Sequence, residues 1–173
     1  MNEVTLFIPG PPRGKGRPRF STFGGKIRTH TDEATEAYEQ RIAAYCREAM
    51  RRGHKPFEVD IPLEVEFWCY FEPPKSWPKK KSPTFWTSKP DFDNIEKMID
   101  GVVKSGLIPD DKQIAVNRGC YKLVCYDKKP GLYIIIREVG LETLRYISEF
   151  SPKIVADPVL LEQVLFRIPP ARL

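Results

Sequence analysis

Carboxylates and a lysine crowd into one short stretch of an otherwise basic chain, Lys89-Pro90-Asp91-Phe92-Asp93-Asn94-Ile95-Glu96-Lys97, and Asp110-Asp111 follow soon after. A basic surface attracts a polyanion, whereas clustered carboxylates repel one unless a divalent cation sits between them. That combination suits metal-assisted hydrolysis of a phosphodiester. Mg²⁺ takes oxygen ligands and commonly uses one or two carboxylates, with waters and substrate phosphates completing the shell. The candidate ligands are Asp91, Asp93 and Asp111, with Asp110 as the alternative to Asp111. Lys97 stands one helical turn after Asp93, where an ammonium can contact the scissile phosphate or stabilise charge in the transition state. Each residue also has a plainer reading. Asp91 after Lys89-Pro90 is a good helix N-cap, and Asp93 in a first turn is favoured by the helix dipole. Asp110-Asp111 is ordinary turn chemistry, and Lys97 pairs naturally with Asp93. Spacing alone leaves both readings open.

The element that must position these groups is a helix from Asp93 to Ser105. Ile95, Met98, Ile99, Val102 and Val103 share one face, while Asp93, Lys97, Asp100 and Lys104 fall on the opposite one. Gly106 terminates it. If this helix and the next strand pack side by side, Asp111 returns to the neighbourhood of Asp93. Upstream, Val4 to Ile8 alternates as a strand, and the Gly- and Pro-rich segment Arg13 to Arg28 reads as a loop. A second helix starts at Thr31 or Asp32 and runs to about Arg52, with Ala34, Tyr38, Ile42, Tyr45 and Ala49 as its apolar stripe and Gly53 as its stop. Leu63 to Phe71 alternates cleanly, so Leu63, Val65, Phe67, Cys69 and Phe71 face a core. Pro73 to Pro90 is a loop in which Trp77, Phe85 and Trp86 either anchor to the body or stack on bases. Gln113 to Tyr126 and Leu132 to Val139 read as strands joined by a hairpin-like connection, Asp127 to Gly131. From Gly140 onward the charges balance, and Leu141 to Phe150 and Val159 to Phe166 read as short helices. A body of residues 1–139 and a helical C-terminal extension of 140–173 are therefore expected.

The 173 residues carry a formal net charge of +5, and that charge is uneven. Arg13, Lys15, Arg17, Arg19, Lys26 and Arg28 form one run without an acidic residue, and Lys75, Lys79, Lys80, Lys81 and Lys89 form another. One such run is usually a solvated loop. Two that flank a carboxylate cluster predict a nucleic-acid footprint, held through phosphates, salt-dependent and largely blind to sequence. Cys46, Cys69, Cys120 and Cys125 form no C-x-x-C pair, and with only two histidines a structural zinc site is not expected. No signal peptide and no membrane-spanning apolar run is visible, so a soluble cytoplasmic protein with no membrane partner is expected.

Read together, the segments resemble the RusA family of Holliday junction resolvases, in particular its phage-type members. The block Lys89 to Lys97 is similar to that family's K-P-D-x-D-N-[LI]-x-K signature, and Leu107 to Ile114 to its D-D-x-Q-[IV] segment. Pro9 to Phe20 resembles a K-G-R-P-R-F stretch of those members. The resemblance covers roughly Met1 to Glu138. It implies an α/β (α+β) fold, with a small mixed sheet of about four strands and two main helices packed on it. It also implies a homodimer that cuts four-way DNA junctions symmetrically in recombination and repair, using Mg²⁺ for which Mn²⁺ can substitute. The implied metal and catalytic residues are Asp91, Asp93 and Asp111, with Lys97 as an essential basic residue. There is one departure. Family members often place an aspartate four residues after the lysine, whereas Asp100 follows Lys97 by three. The extension beyond residue 139 also has no counterpart in the pattern.

The sequence therefore predicts a structure-specific endonuclease that leaves a 5′-phosphate and a 3′-hydroxyl. Two symmetric cuts need two active sites, which a two-fold dimer supplies with the fewest assumptions. Two rivals remain: a junction-binding protein without activity, and a metal-dependent phosphoesterase acting on flaps, RNA or nucleotides.

Overall fold

The computed structural model describes residues 2–17, 19–23, 26–77, 84–126, 129–143 and 145. In chain order the elements are β1 (Glu3–Pro9), β2 (Arg19–Phe23), β3 (Lys26–His30), α1 (Glu33–Arg51), β4 (Leu63–Phe71), α2 (Phe92–Glu96), α3 (Asp100–Val103), β5 (Ile114–Val124) and β6 (Gly131–Glu138). Short 3₁₀ turns occupy Lys97–Ile99 and Asp111–Gln113. The fold is α+β, built on a four-stranded mixed sheet in the order β1-β6-β4-β5.

Alternation sets the sheet's inner face. Val4, Leu6 and Ile8 of β1, Leu63, Val65, Phe67 and Cys69 of β4, and Leu132, Ile134 and Ile136 of β6 are all buried. They pack under Ile42 and Cys46 of α1 and under Ile95, Met98 and Val102 of the α2–α3 segment. Each such side chain contributes about 1.5–3 kcal/mol when fully removed from water. The outer face instead carries an aromatic row. Phe7 lies 4.6 Å from Tyr133, and Trp68 stacks on Tyr121 at 4.4 Å between ring centroids.

Asp32 caps α1, its side chain accepting from the Thr35 N–H at 3.0 Å. The buried stripe of this helix is rotated from the expected one. Thr35, Tyr38, Glu39, Ile42 and Cys46 turn inward, while Tyr45 is exposed. Two charged or polar side chains can be taken inside because Glu39 finds cations there, as described below.

Three expectations are corrected. The segment Arg13 to Arg28 is not all loop, since β2 and β3 pair antiparallel from Arg19↔His30 to Phe23↔Lys26. Its heavy positive charge hid the strand pattern. The helix expected from Asp93 to Ser105 begins at Phe92, is tightened into a 3₁₀ turn at Lys97–Ile99 and ends at Val103. Finally, β5 and β6 do not form a hairpin. β4 lies between them, parallel to β5 and antiparallel to β6. The turn residues between them are compatible with a hairpin, but burying the inner face of β4 on both edges decides the pairing. The C-terminal extension is described only at its start, where Leu141–Thr143 is helical; the remaining residues of the expected helices lie outside the described residues.

Parallel strands need a crossover, and here α2 and α3 supply it between β4 and β5. The start of α2 therefore lies toward the carboxyl end of β4, and the end of α3 toward the amino end of β5. Phe71 and Trp86 stack at 4.9 Å, which fixes the chain entering the crossover. Gln113 donates to the Glu58 carbonyl at 2.8 Å, which fixes the chain leaving it.

Candidate active site

The entrance to the crossover is built from the sheet edge outward. The Trp86 N–H and carbonyl region is tied to β5: its backbone N–H donates to the Lys122 carbonyl at 2.8 Å. Its indole N–H donates to the Lys89 carbonyl at 2.9 Å, and Lys122 Nζ donates to the Ser88 carbonyl at 2.6 Å. Trp77 lies 5.8 Å from Trp86, so these two aromatics anchor the loop, whereas Phe85 is exposed. Pro90 then delivers Asp91 to the position just before α2.

Asp91 occupies the N-cap with an extended backbone (φ −69°, ψ 152°), yet its side chain makes no cap hydrogen bond. Capping is the usual use of an aspartate at that position. Its exposed carboxylate takes no part in capping α2. Asp93 is also exposed, and Lys97 Nζ donates to its Oδ2 at 2.7 Å. That hydrogen bond holds the Asp93 carboxyl below the usual aspartate range. The i,i+4 pairing foreseen as the plain reading of Lys97 is thus present. An exposed pair of this kind is worth little to stability, so it leaves both groups available. Glu96 accepts from the Asn117 side-chain amide, which fastens α2 to β5.

Asp111 is elsewhere. It opens the 3₁₀ turn before β5, at the exit of the crossover, whereas Asp91 and Asp93 stand at its entrance. The helical segment between them, Phe92 to Val103, spans roughly 18 Å at 1.5 Å per residue. The helix and β5 do pack side by side, but they run in opposite directions, so the strand's start lies at the helix's far end. Asp110 is occupied: it caps the turn by accepting from the Lys112 N–H at 3.0 Å and pairs with Lys112 Nζ at 3.5 Å. The Lys112 backbone hydrogen bond lowers its pKa. Asp111 has no capping role. Among the described residues no three His, Cys, Asp or Glu side chains are grouped to hold a metal ion. The Asp91–Asp93 pair nevertheless matches the two-carboxylate share that Mg²⁺ commonly takes from a protein.

Asp100 gains a partner that its sequence position did not reveal. In a 3₁₀ turn residues i and i+3 eclipse. The tightened turn at Lys97–Ile99 therefore keeps Asp100 on the charged face although it follows Lys97 by only three residues. There it accepts a hydrogen bond from Lys15 Nζ.

Of the basic residues, Arg13, Arg17 and Lys89 are exposed; Arg13 precedes Gly14, which packs on Pro90 and Asn94 at this entrance. Lys15 is not free, being held by Asp100 and lying 3.8 Å from Glu39. The side chains of Arg19, Lys26 and Arg28 in the β2–β3 hairpin, and the whole of Lys79, Lys80 and Lys81, lie outside what is described.

An acidic helix entrance flanked by exposed cations, carried on a βαβ crossover, defines a nuclease-like site. The chain belongs to the RusA family: the Endodeoxyribonuclease RusA family matches residues 9–137, which takes in every described element from the end of β1 to β6. The chain is accordingly an endodeoxyribonuclease. It is also similar to the uncharacterized protein YqaN of Bacillus subtilis (strain 168), at 27% identity over 149 residues, covering 81% of this chain and 99% of that one. No helix among the described residues is long and apolar enough to cross a membrane.

Proposed function

We propose that the chain is a Mg²⁺-dependent, structure-specific endonuclease that resolves four-way DNA junctions in recombination and repair, acting as a homodimer. The observation that carries this reading is the uncapped Asp91 carboxylate beside Asp93 at the helix entrance, inside a RusA-family match. Asp91 and Asp93 would hold the ion. When bound, Mg²⁺ supplies a Lewis acid for the phosphate and a lowered pKa for water, with Mn²⁺ as a substitute. Lys97 turns its ammonium from Asp93 to the scissile phosphate and offsets the charge that develops there. Arg13, Arg17 and Lys89 hold the DNA arms through phosphates, together with Arg19, Lys26, Arg28, Lys79, Lys80 and Lys81.

Asp111 belongs to this reading through the dimer. What supports looking to a second chain is that Asp111 opens the turn at the crossover's exit while Asp91 and Asp93 stand at its entrance. In this reading the Asp111 of a second copy would supply the third carboxylate to each site of a two-fold pair.

A synthetic four-way junction with Mg²⁺ tests the activity, beside a linear duplex and the variant Asp93→Asn. Symmetric cutting of the junction alone, abolished in Asp93→Asn with binding intact, supports the proposal. Binding without cutting in either Mg²⁺ or Mn²⁺ would leave a junction-binding protein. Equal cutting of junction and duplex would leave a less selective phosphoesterase.

A further inference from the structure

The stretch Arg13-Gly14-Lys15-Gly16-Arg17 reads in sequence as a run of phosphate contacts, but it is stitched to the site helix. The Lys15 N–H donates to the carbonyl of Asn94, the residue after Asp93, at 2.6 Å. A Cβ on Gly14 would lie 2.8 Å from Pro90 Cβ and 2.9 Å from Asn94 Cβ, so only a glycine lets the strap come this close. One residue further, the Gly16 N–H donates to Thr35 Oγ1 at 2.9 Å, beside the cap of α1. There too an added Cβ would collide, with Asp32 Oδ2.

The Lys15 ammonium is engaged inward. It bonds Asp100 of α3, 85 residues away in sequence, and faces Glu39 of α1. The Glu39 side chain is only 2% exposed, and its Oε2 is paired with Lys104, the C-cap of α3. Its Oε1 has no hydrogen-bond partner, leaving Lys15 as the cation that faces it. An acidic residue buried this deeply needs compensating charge. Lys15 therefore closes a four-membered network joining the strap, α1 and α3.

We propose that Lys15 is a positioning residue for cleavage and not a phosphate contact: with Asp100 and Glu39 it clamps the Arg13–Arg17 strap onto the Asp93–Asn94 turn. The clamp fixes the carboxylate pair relative to Arg13 and Arg17, and so relative to the bound strand. It also gives Asp100 a role. This inference rests on the nuclease reading above.

Two measurements separate positioning from phosphate binding. One is junction affinity against salt without metal, and the other is the single-turnover cutting rate at saturating junction with Mg²⁺. A lysine that neutralises a phosphate lowers the salt slope by about one when removed. Lys15→Met is expected to leave the slope unchanged and to slow cutting roughly tenfold to a hundredfold, the cost of misplaced reacting groups. Asp100→Asn should reproduce that loss although it removes no cation, and Lys15→Arg should restore most of the rate. A reduced slope with a normal saturated rate in Lys15→Met would overturn the proposal, as would wild-type cutting by Asp100→Asn. If Lys15→Met does not fold, the saturated cutting rate of Asp100→Asn carries the test: a loss supports the clamp and a wild-type rate overturns it. Failure of the wild type to cut would instead overturn the nuclease reading, and the metal-free slopes would still report on Lys15.

Discussion

Lys97 Nζ lies 2.7 Å from Asp93 Oδ2, so a proposed metal ligand and a proposed phosphate contact are each other's partner in the unbound chain. Lys97→Met should release the Asp93 carboxyl to titrate nearer the ordinary aspartate value, since the Lys97 hydrogen bond is the main cause of its depression. A depressed pKa keeps Asp93 charged throughout the range above that value, and its pairing with Lys97 fades only as the pH falls through the lowered one. Carboxyl NMR titration should show the Asp93 midpoint moving up in the variant. Cutting should fall by about 10²–10³, the usual loss for a transition-state charge partner. An unchanged Asp93 midpoint would refute the pairing.

Asp32 and Asp91 occupy equivalent helix positions but do different work. Asp32 accepts the Thr35 N–H, whereas Asp91 accepts no cap bond. Asp32→Ala should cost about 1 kcal/mol in urea unfolding, and Asp91→Ala should cost close to nothing. Asp91→Ala should instead weaken Mn²⁺ binding, measured calorimetrically. A destabilised Asp91→Ala with normal metal affinity would return that residue to a capping role.

The opposite ends taken by Asp93 and Asp111 make a mixed-dimer experiment informative. Asp93→Asn and Asp111→Asn should each be inactive alone. Co-refolded, they should form mixed dimers with one intact site when the third carboxylate comes from the second copy, and nick one junction strand. No recovered nicking would show that the three groups do not assemble across two chains.

Gly14→Ala should be among the most damaging small substitutions on the surface. Its Cβ would meet Pro90 and Asn94 at under 3 Å. The overpacking should cost about 1–3 kcal/mol and shift the Asn94 amide resonance. A fully stable variant with unmoved resonances would contradict the close approach.

Local signals read well where burial follows a short period. The alternation from Leu63 to Phe71 announced β4, and Ile95, Met98, Ile99 and Val102 announced the buried face of the crossover. Sequence reasoning lost its hold where distant partners decide. The strands flanking Asp127 to Gly131 pair with β4 and not with each other, a choice set by core burial beyond the turn. Lys15 looked like one more loop cation because Asp100 and Glu39 are remote along the chain. The carboxylate motif itself was legible, but a linear string of residues does not say that a crossover reverses direction and carries Asp111 away.

Pairing of β1 with β6 alone gives the chain an order of completion. Glu3 finds its ladder partner at Arg137, near the end of the RusA-matching region. During synthesis on the ribosome, the first strand can pack on α1 but has no strand to pair with until nearly all of that region has emerged. The strap that follows β1 gains its sheet anchor only then. A chain truncated before β6 would leave both β1 and one edge of β4 without the strand that joins them.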